Sequence, residues 1–378
     1  VLTAFFDVYA TRYQPYKRGH WCYEDGCLYR GLELLHLATG EERWLDHLLR
    51  LITPQIRRGS DGTVSLAGYD PSEYNIDNIL SGRALLYLAK VTGDPLYLEA
   101  AALLASQLRT HPRTRSGVYW HKLRYPWQIW LDGLYMAAPF QVGYGMTTNS
   151  PGLIEDSLSQ LSTALSQSFV PATGLYAHAT DEAGMQPWAL AGGGHSRAHW
   201  ARALGWLAMC LVDVAALVGP ERFAPLQDAT IRLMRKLMDL RQPSGLWLQV
   251  IDQPQLSGNF EETSASAMLV YALLQANKLD LCPGFGEAEA NRLLRDLCLG
   301  SLARGADGTL QMARICEVAG LGRYQDRYRD GSAEYYVSER VVADDIKGVG
   351  PLMMAVACGK SIPQIVERDI APMQGETA

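Results

Sequence analysis

The sequence predicts an all-α fold, an (α/α)6 barrel in which six helix hairpins close into a ring and short β segments occupy the rim loops. One domain is expected over residues 1–378. Three observations carry this. Helical stretches with an apolar stripe come in pairs, and the pairs are separated by a glycine that opens a short alternating segment. That glycine phrase recurs at 62, 117, 174, 245 and 308, a spacing of roughly 55 to 70 residues, which six units would extend over the whole chain.

Taken in order, Trp21-Cys-Tyr23-Glu-Asp-Gly26 leads into a helix from Leu28 that ends on Gly40, and a second helix runs from Glu42 to Ile52. Tyr74-Asn-Ile-Asp77 leads into the same design, from Ile79 to the stop at Gly93 and then from Pro95 to Arg109. The separating phrases read Gly62-Thr-Val-Ser, Gly117-Val-Tyr-Trp-His121, Gly174-Leu-Tyr-Ala-His178, Gly245-Leu-Trp-Leu-Gln249 and Gly308-Thr-Leu-Gln311. The stretch Trp127 to Phe140 sets one carboxylate, Asp132, among large aromatics where a helix begins. An acid suits a helix start, because free N–H groups and the helix dipole favour negative charge there. An ordinary N-cap is therefore the plain alternative for Asp132.

Composition narrows the function. The 378 residues are 48% hydrophobic, enough for a large core, and the formal charge of −6 with no long basic run gives no footprint for nucleic acid. No protein partner is implied. Seven scattered cysteines without a Cys-x-x-Cys pair suit reduced thiols, and a cytoplasmic location is expected. No apolar run of membrane-spanning length stands out, and Val1-Leu-Thr-Ala-Phe-Phe lacks a basic leader region.

If the first helix of every hairpin lines the inside, the inner helices run parallel and their N-termini meet at one rim. That rim collects Tyr23, Asp77, Asp132, the segment from His195 to Arg202, Glu261 with Glu262, and Asp344 with Asp345, beside the strands ending in His121 and His178. A ring of helix N-termini favours a small anion, and sugar acids fit.

The phrases Trp21-x-Tyr23-x-x-Gly26, Asn75-Ile-Asp77, Trp130-Leu-Asp132-Gly-Leu-Tyr-Met-Ala-Ala-Pro-Phe140, His199-Trp-Ala-Arg202-Ala-Leu-Gly-Trp206, Glu262-Thr-Ser-Ala-Ser-Ala-Met268 and Asp345-Ile-Lys-Gly-Val-Gly-Pro351 resemble glycoside hydrolase family 105. These are the unsaturated rhamnogalacturonyl hydrolases, related to the unsaturated glucuronyl hydrolases of family 88. The resemblance runs from about residue 20 to about 358. It implies the same barrel, no metal or organic cofactor, and a small anionic oligosaccharide as the bound molecule. It also implies Asp132 as catalytic aspartate, Asp77 as its assistant, and Tyr23, His121, Trp130, His178, Arg202 and Trp206 as substrate contacts. Arg202-Ala-Leu-Gly-Trp206 departs from the family's usual Arg-Gly-Asn-Gly-Trp, which removes an amide near the site and leaves the sugar next to the uronate open.

The implied reaction is hydration of a C4=C5 enol ether, with Asp132 first donating a proton and then activating water. Asp77 and the ring of Trp127 or Trp130 are the groups expected to favour its neutral form. Other readings stay open: a two-carboxylate glycosidase on the same ring, an epimerase using His121 and His178, or a helical scaffold. His121 and His178 also read as polar strand ends, and Arg202 as a surface arginine. His195 and His199 stand four apart without a third metal ligand. Trp188 with Gly192-Gly-Gly194 reads as a mobile rim loop, and Glu261 and Glu262 as helix-start acids.

Overall fold

The computed structural model describes residues 1–282, 284–305, 308–359 and 370. In chain order the helices are α1 (Leu2–Arg12), α2 (Tyr23–Thr39), α3 (Glu42–Ile52), α4 (Gly82–Thr92), α5 (Pro95–Thr110), α6 (Leu131–Thr147) and α7 (Pro151–Ser168). Then come α8 (Ala201–Asp239), α9 (Thr263–Lys278), α10 (Glu287–Ser301), α11 (Ala333–Val337) and α12 (Ile346–Cys358). The ring is closed: α2 packs on α4, α4 on α6, α6 on α8, α8 on α9, α9 on α12, and α12 back on α2. Glycine makes the last contact possible. A Cβ on Gly350 would lie 2.4 Å from the Cys27 carbonyl oxygen, so any side chain there would push α12 off α2.

Outside this ring, α3, α5, α7 and α10 each lie against the inner helix that precedes them. Two units differ from six consecutive hairpins. The run α8 holds an inner and an outer helix together, broken at Gly219 (φ 77°, ψ 169°) and restarted by Pro220. The outer helix α1 comes from the other end of the chain, beside α3, and the Tyr9 hydroxyl donates to the Asp344 carbonyl just before α12 at 2.9 Å. By length and composition the Ala201–Asp239 run passes for a membrane span, which the sequence reading did not single out, yet 72% of its apolar window is buried inside the barrel. The expected single unit also takes in 360–369 and 371–378, which lie outside the described residues.

All five recurring glycines adopt the left-handed conformation, with φ of 84°, 94°, 70°, 98° and 78° from Gly62 to Gly308. Each closes a tight turn by donating its N–H to a carbonyl three or four residues back, at 2.9–3.0 Å. Gly40 and Gly93 end α2 and α4 in the same conformation. One helix start moves. Asn75 accepts from the Asp77 N–H and stabilises a 3-10 turn over Ile76–Ile79, so α4 begins at Gly82 and not at Ile79.

Short pairings form a discontinuous collar around the mouth where the inner helices begin. Asn75 bridges to Lys122, Gln128–Trp130 pairs with Ala179–Asp181, Thr180 bridges to His195, Trp200 to Val250 and Leu248 to Glu261. Towards the opposite mouth Arg83 is paired with Asp213 at 2.7 Å, and Asp213 accepts from Tyr271 at 2.6 Å. All seven cysteines are free and buried, as the scattered pattern led us to expect.

Candidate active site

The collar places the first aspartate. Trp130 pairs with Ala179, and the Leu131 N–H donates to the His178 carbonyl at 3.0 Å, so α6 starts beside His178. The His178 Nε2 then lies 3.2 Å from Asp132 Oδ2. Trp130, not Asp132, is the N-cap residue, and Asp132 makes no capping hydrogen bond. The N-cap reading of Asp132 therefore fails. Its Oδ2 is buried without a hydrogen-bond partner, and so is the facing Nε2 of His178.

The second aspartate is held differently. The His121 N–H donates to the Gln128 carbonyl at 3.0 Å and its carbonyl accepts from Ile76 at 3.2 Å, which brings the 3-10 turn carrying Asp77 to the same wall. His121 lies flat on Trp130, with centroids 4.6 Å apart and planes at 12°. Gly133 permits this approach, because a Cβ there would sit 3.0 Å from His121 Nδ1. His121 Nε2 is 3.7 Å from Asp77 Oδ1, and Lys122 is ion-paired with Oδ2. Burial works against the Asp77 charge, but Lys122 and then His121 outweigh it and hold the carboxyl below its usual range. Burial pushes His121 down to about 4, against the pull of Asp77, so the ring is neutral at pH 7.

Trp130 thus separates two His–Asp pairs: it stacks on His121 and meets His178 edge-on at 5.1 Å. Tyr125 extends the stack at 5.0 Å. Behind His178, Nδ1 is 2.6 Å from the Tyr336 hydroxyl, and Trp200 lies 4.9 Å away. Tyr23 opens α2; burial and the nearby Glu24 and Asp77 charges raise its hydroxyl well above the ordinary value, and Arg202 opposes them. Trp206, one turn below Arg202, stacks on Tyr135 at 5.2 Å beneath the Asp132 turn.

Arg202 is not a surface arginine. It is 1% exposed, with its guanidinium over Trp200 at 4.9 Å. Its nitrogens donate to Ser264 Oγ at 3.0 Å, the Cys316 carbonyl at 2.5 Å and the Glu317 carbonyl at 3.2 Å. Glu262 is the N-cap of α9, accepting from the Ser264 and Ala265 N–H groups, as a helix-start acid should. Trp127 is not an Asp132 neighbour; its ring packs on Trp120 at 5.1 Å with Arg115 over it. His195 and His199 precede α8 and spend their nitrogens on the Gln167 carbonyl, the Tyr176 carbonyl and Thr173 Oγ1. Trp188 is fully buried with Tyr125, Trp130 and Leu321, and Gly194 is tied into a turn by bonds to Leu190 and from Asp181, so the ends of this stretch are packed while 190–193 form an exposed rim turn.

Sequence reasoning missed Lys122, Tyr336 and Tyr125, and gave Trp200 no role. Lys122 follows directly on the phrase that ends at His121 but carries no mark of its own, and Tyr336 sits on a five-residue helix with no motif. The assembled wall offers one carboxylate held ionised by lysine, one facing a histidine, and flat aromatic surfaces, an arrangement suited to proton transfer on a bound sugar.

Comparison with known proteins gives the family. The model described as Glycosyl Hydrolase Family 88 matches residues 4–358. The chain is 46% identical over 228 residues to Protein Atu3128 of Agrobacterium fabrum, covering 59% of this chain and 97% of that one. It is 30% identical over 267 residues to the unsaturated rhamnogalacturonyl hydrolase YesR of Bacillus subtilis, covering 68% of this chain and 72% of that one. A solved glycoside hydrolase of family 105 from C. acetobutylicum superposes with a TM-score of 0.88 at 32% identity, covering 95% of this chain and 98% of the other. With its fold, its collar and these relatives in agreement, the chain belongs to glycosyl hydrolase family 88 and is a glycoside hydrolase whose structural relatives include family 105.

Proposed function

We propose that the enzyme acts on unsaturated uronyl oligosaccharides, with an unsaturated rhamnogalacturonyl disaccharide as substrate, and that it works by hydrating the C4=C5 enol ether. The observation that carries this reading is the unequal treatment of the two aspartates. Lys122 commits Asp77 to the charged form, so Asp77 serves as a fixed negative charge beside the oxocarbenium-like cation at C5. Asp132 has no lysine or arginine pair among the described residues and faces His178 with part of its carboxyl open to the site. It donates a proton to C4, and the carboxylate so formed takes a proton from the water that adds at C5. The hemiketal then collapses, releasing the neighbouring sugar and a 4-deoxy-5-keto-uronate.

Trp130, Trp206 and Tyr23 supply ring faces and a hydroxyl for the sugar, and His121 and His178 line the two aspartates. The paired placement of Lys122 and His121 on Asp77 removes it as proton donor and leaves Asp132 as the acid, because a carboxyl locked in its charged form is a poor proton donor. The YesR likeness supports the rhamnogalacturonyl substrate, and the free buried thiols support a cytoplasmic location. No protein, nucleic-acid or membrane partner is proposed. A turnover screen tests the reading. Lyase-generated unsaturated disaccharides should lose their double-bond absorbance, fastest with rhamnose next to the uronate. A preference for a glucuronyl-linked amino sugar would overturn the substrate assignment and keep the reaction.

A further inference from the structure

His178 poses a problem of hydrogen placement. Its ring is 1% exposed, and a neutral imidazole carries one hydrogen on one of two nitrogens. Nδ1 has the Tyr336 hydroxyl at 2.6 Å, and Nε2 has only Asp132 Oδ2 at 3.2 Å. If the hydrogen were on Nδ1, it would point at the phenol oxygen. With the Asp132 proton on Oδ1, the edge that delivers it to carbon, Nε2 would then turn a lone pair towards the bare Oδ2, leaving two buried acceptors face to face, a costly arrangement. With the hydrogen on Nε2, both orphaned atoms gain a partner and Nδ1 accepts from the phenol.

The phenol is well placed to impose this choice. Tyr336 is fully buried, and its ring is stacked on Trp200 at 5.9 Å with planes at 9°. Gln249, itself fully buried, clamps the stack from behind: its Nε2 donates to the Tyr336 carbonyl at 3.0 Å and its Oε1 accepts from Trp200 Nε1 at 3.1 Å. The hydroxyl has no other hydrogen-bond partner among the described residues. Burial, with the Tyr335 and Asp132 charges adding to it, keeps the phenol protonated far beyond its ordinary range, so it remains a donor.

We propose that Tyr336 is a positioning residue: its hydroxyl donates to His178 Nδ1, fixing the tautomer that presents Nε2–H to Asp132 Oδ2. This rests on the hydration reading for its kinetic consequence, though not for its geometry. The Nε2–H then faces the Oδ2 edge of Asp132 at 3.2 Å, which leaves Oδ1 as the edge for the substrate carbon. Removing the phenol oxygen leaves Nδ1 without its partner in either tautomer, so the preference for Nε2–H weakens and only the Asp132 contact orients the ring.

The test reads the ring directly. In protein with 15N-labelled histidine, two-bond correlation NMR of the eight imidazoles, with His178→Gln identifying the signal by its loss, reports which nitrogen carries hydrogen. We expect Nε2–H with an unprotonated, hydrogen-bonded Nδ1 in the native enzyme at pH 7. Tyr336→Phe keeps the ring stack and should abolish the hydrogen-bond shift of Nδ1 and populate both tautomers, with kcat falling about 10- to 100-fold and KM changing less than about 3-fold. An Nδ1–H ring or a doubly protonated imidazolium in the native enzyme overturns the proposal. So does a Tyr336→Phe signal unchanged from native. Should the substrate reading fail instead, no unsaturated uronate would be turned over, while the native imidazole would still report Nε2–H.

Discussion

Asp132→Asn should lower kcat by about 10³-fold or more while the unsaturated disaccharide still binds with native affinity, the scale expected when a positioned acid and base is removed. The amide fills the same space at the start of α6, where the carboxyl caps no helix end, so the helix loses no capping bond. Its oxygen can take the place of Oδ2 opposite His178 Nε2, which preserves the collar contact at 3.2 Å. What it cannot do is give a proton to carbon and later take one from water. Calorimetric titration measures binding and single-turnover kinetics measure the step. Retention of a tenth of the native rate would remove Asp132 from the acid role.

Arg202→Ala should cost about 3–5 kcal/mol of folding stability, the usual scale for deleting one partner of a buried, hydrogen-bonded charge. The sequence reading made Arg202 a substrate contact, yet its nitrogens already serve Ser264 and the carbonyls of Cys316 and Glu317. These acceptors lie at the start of the neighbouring α9 and on the 315–317 segment, so the guanidinium ties the 315–316 strand to the ring. Arg202→Lys should recover less than half of the loss, since one ammonium cannot reproduce a planar fork spread over two carbonyls and a hydroxyl. Urea unfolding followed by circular dichroism gives the number. A loss below about 1 kcal/mol with uronate binding selectively weakened would return Arg202 to the ligand.

The ring was legible because it repeats. Glycine stops at 40 and 93 and the five turn glycines each demand positive φ, a local requirement that leaves a local mark. The partition of α8 and the placement of α1 were not legible. Gly219-Pro220 breaks one helical pattern without a loop, and α1 belongs to the ring only through contacts made at the other end of the chain. Within the site, Asp77, Asp132, His121 and His178 were readable from phrases at helix starts and strand ends. Lys122 was not, because a lysine after a strand histidine is ordinarily solvated, and only the 3-10 turn at Asn75 folds Asp77 over it. Tyr336 lies 158 residues from His178, a pairing that no short-range pattern encodes.

The central claim is that the enzyme protonates carbon and leaves the anomeric bond to break later by collapse of a hemiketal. Turnover in heavy water tests it most directly. If Asp132 delivers the proton, solvent exchange at the carboxyl places one deuterium on C4 of the released 4-deoxy-5-keto-uronate, seen as a one-unit mass increase on carbon and a simplified C4 proton signal. Saturated galacturonyl or glucuronyl disaccharides, which have no double bond to protonate, should be inert under the same conditions. An unlabelled C4, or cleavage of the saturated sugars at a comparable rate, would contradict hydration and make Asp77 and Asp132 the acid and base of an ordinary displacement.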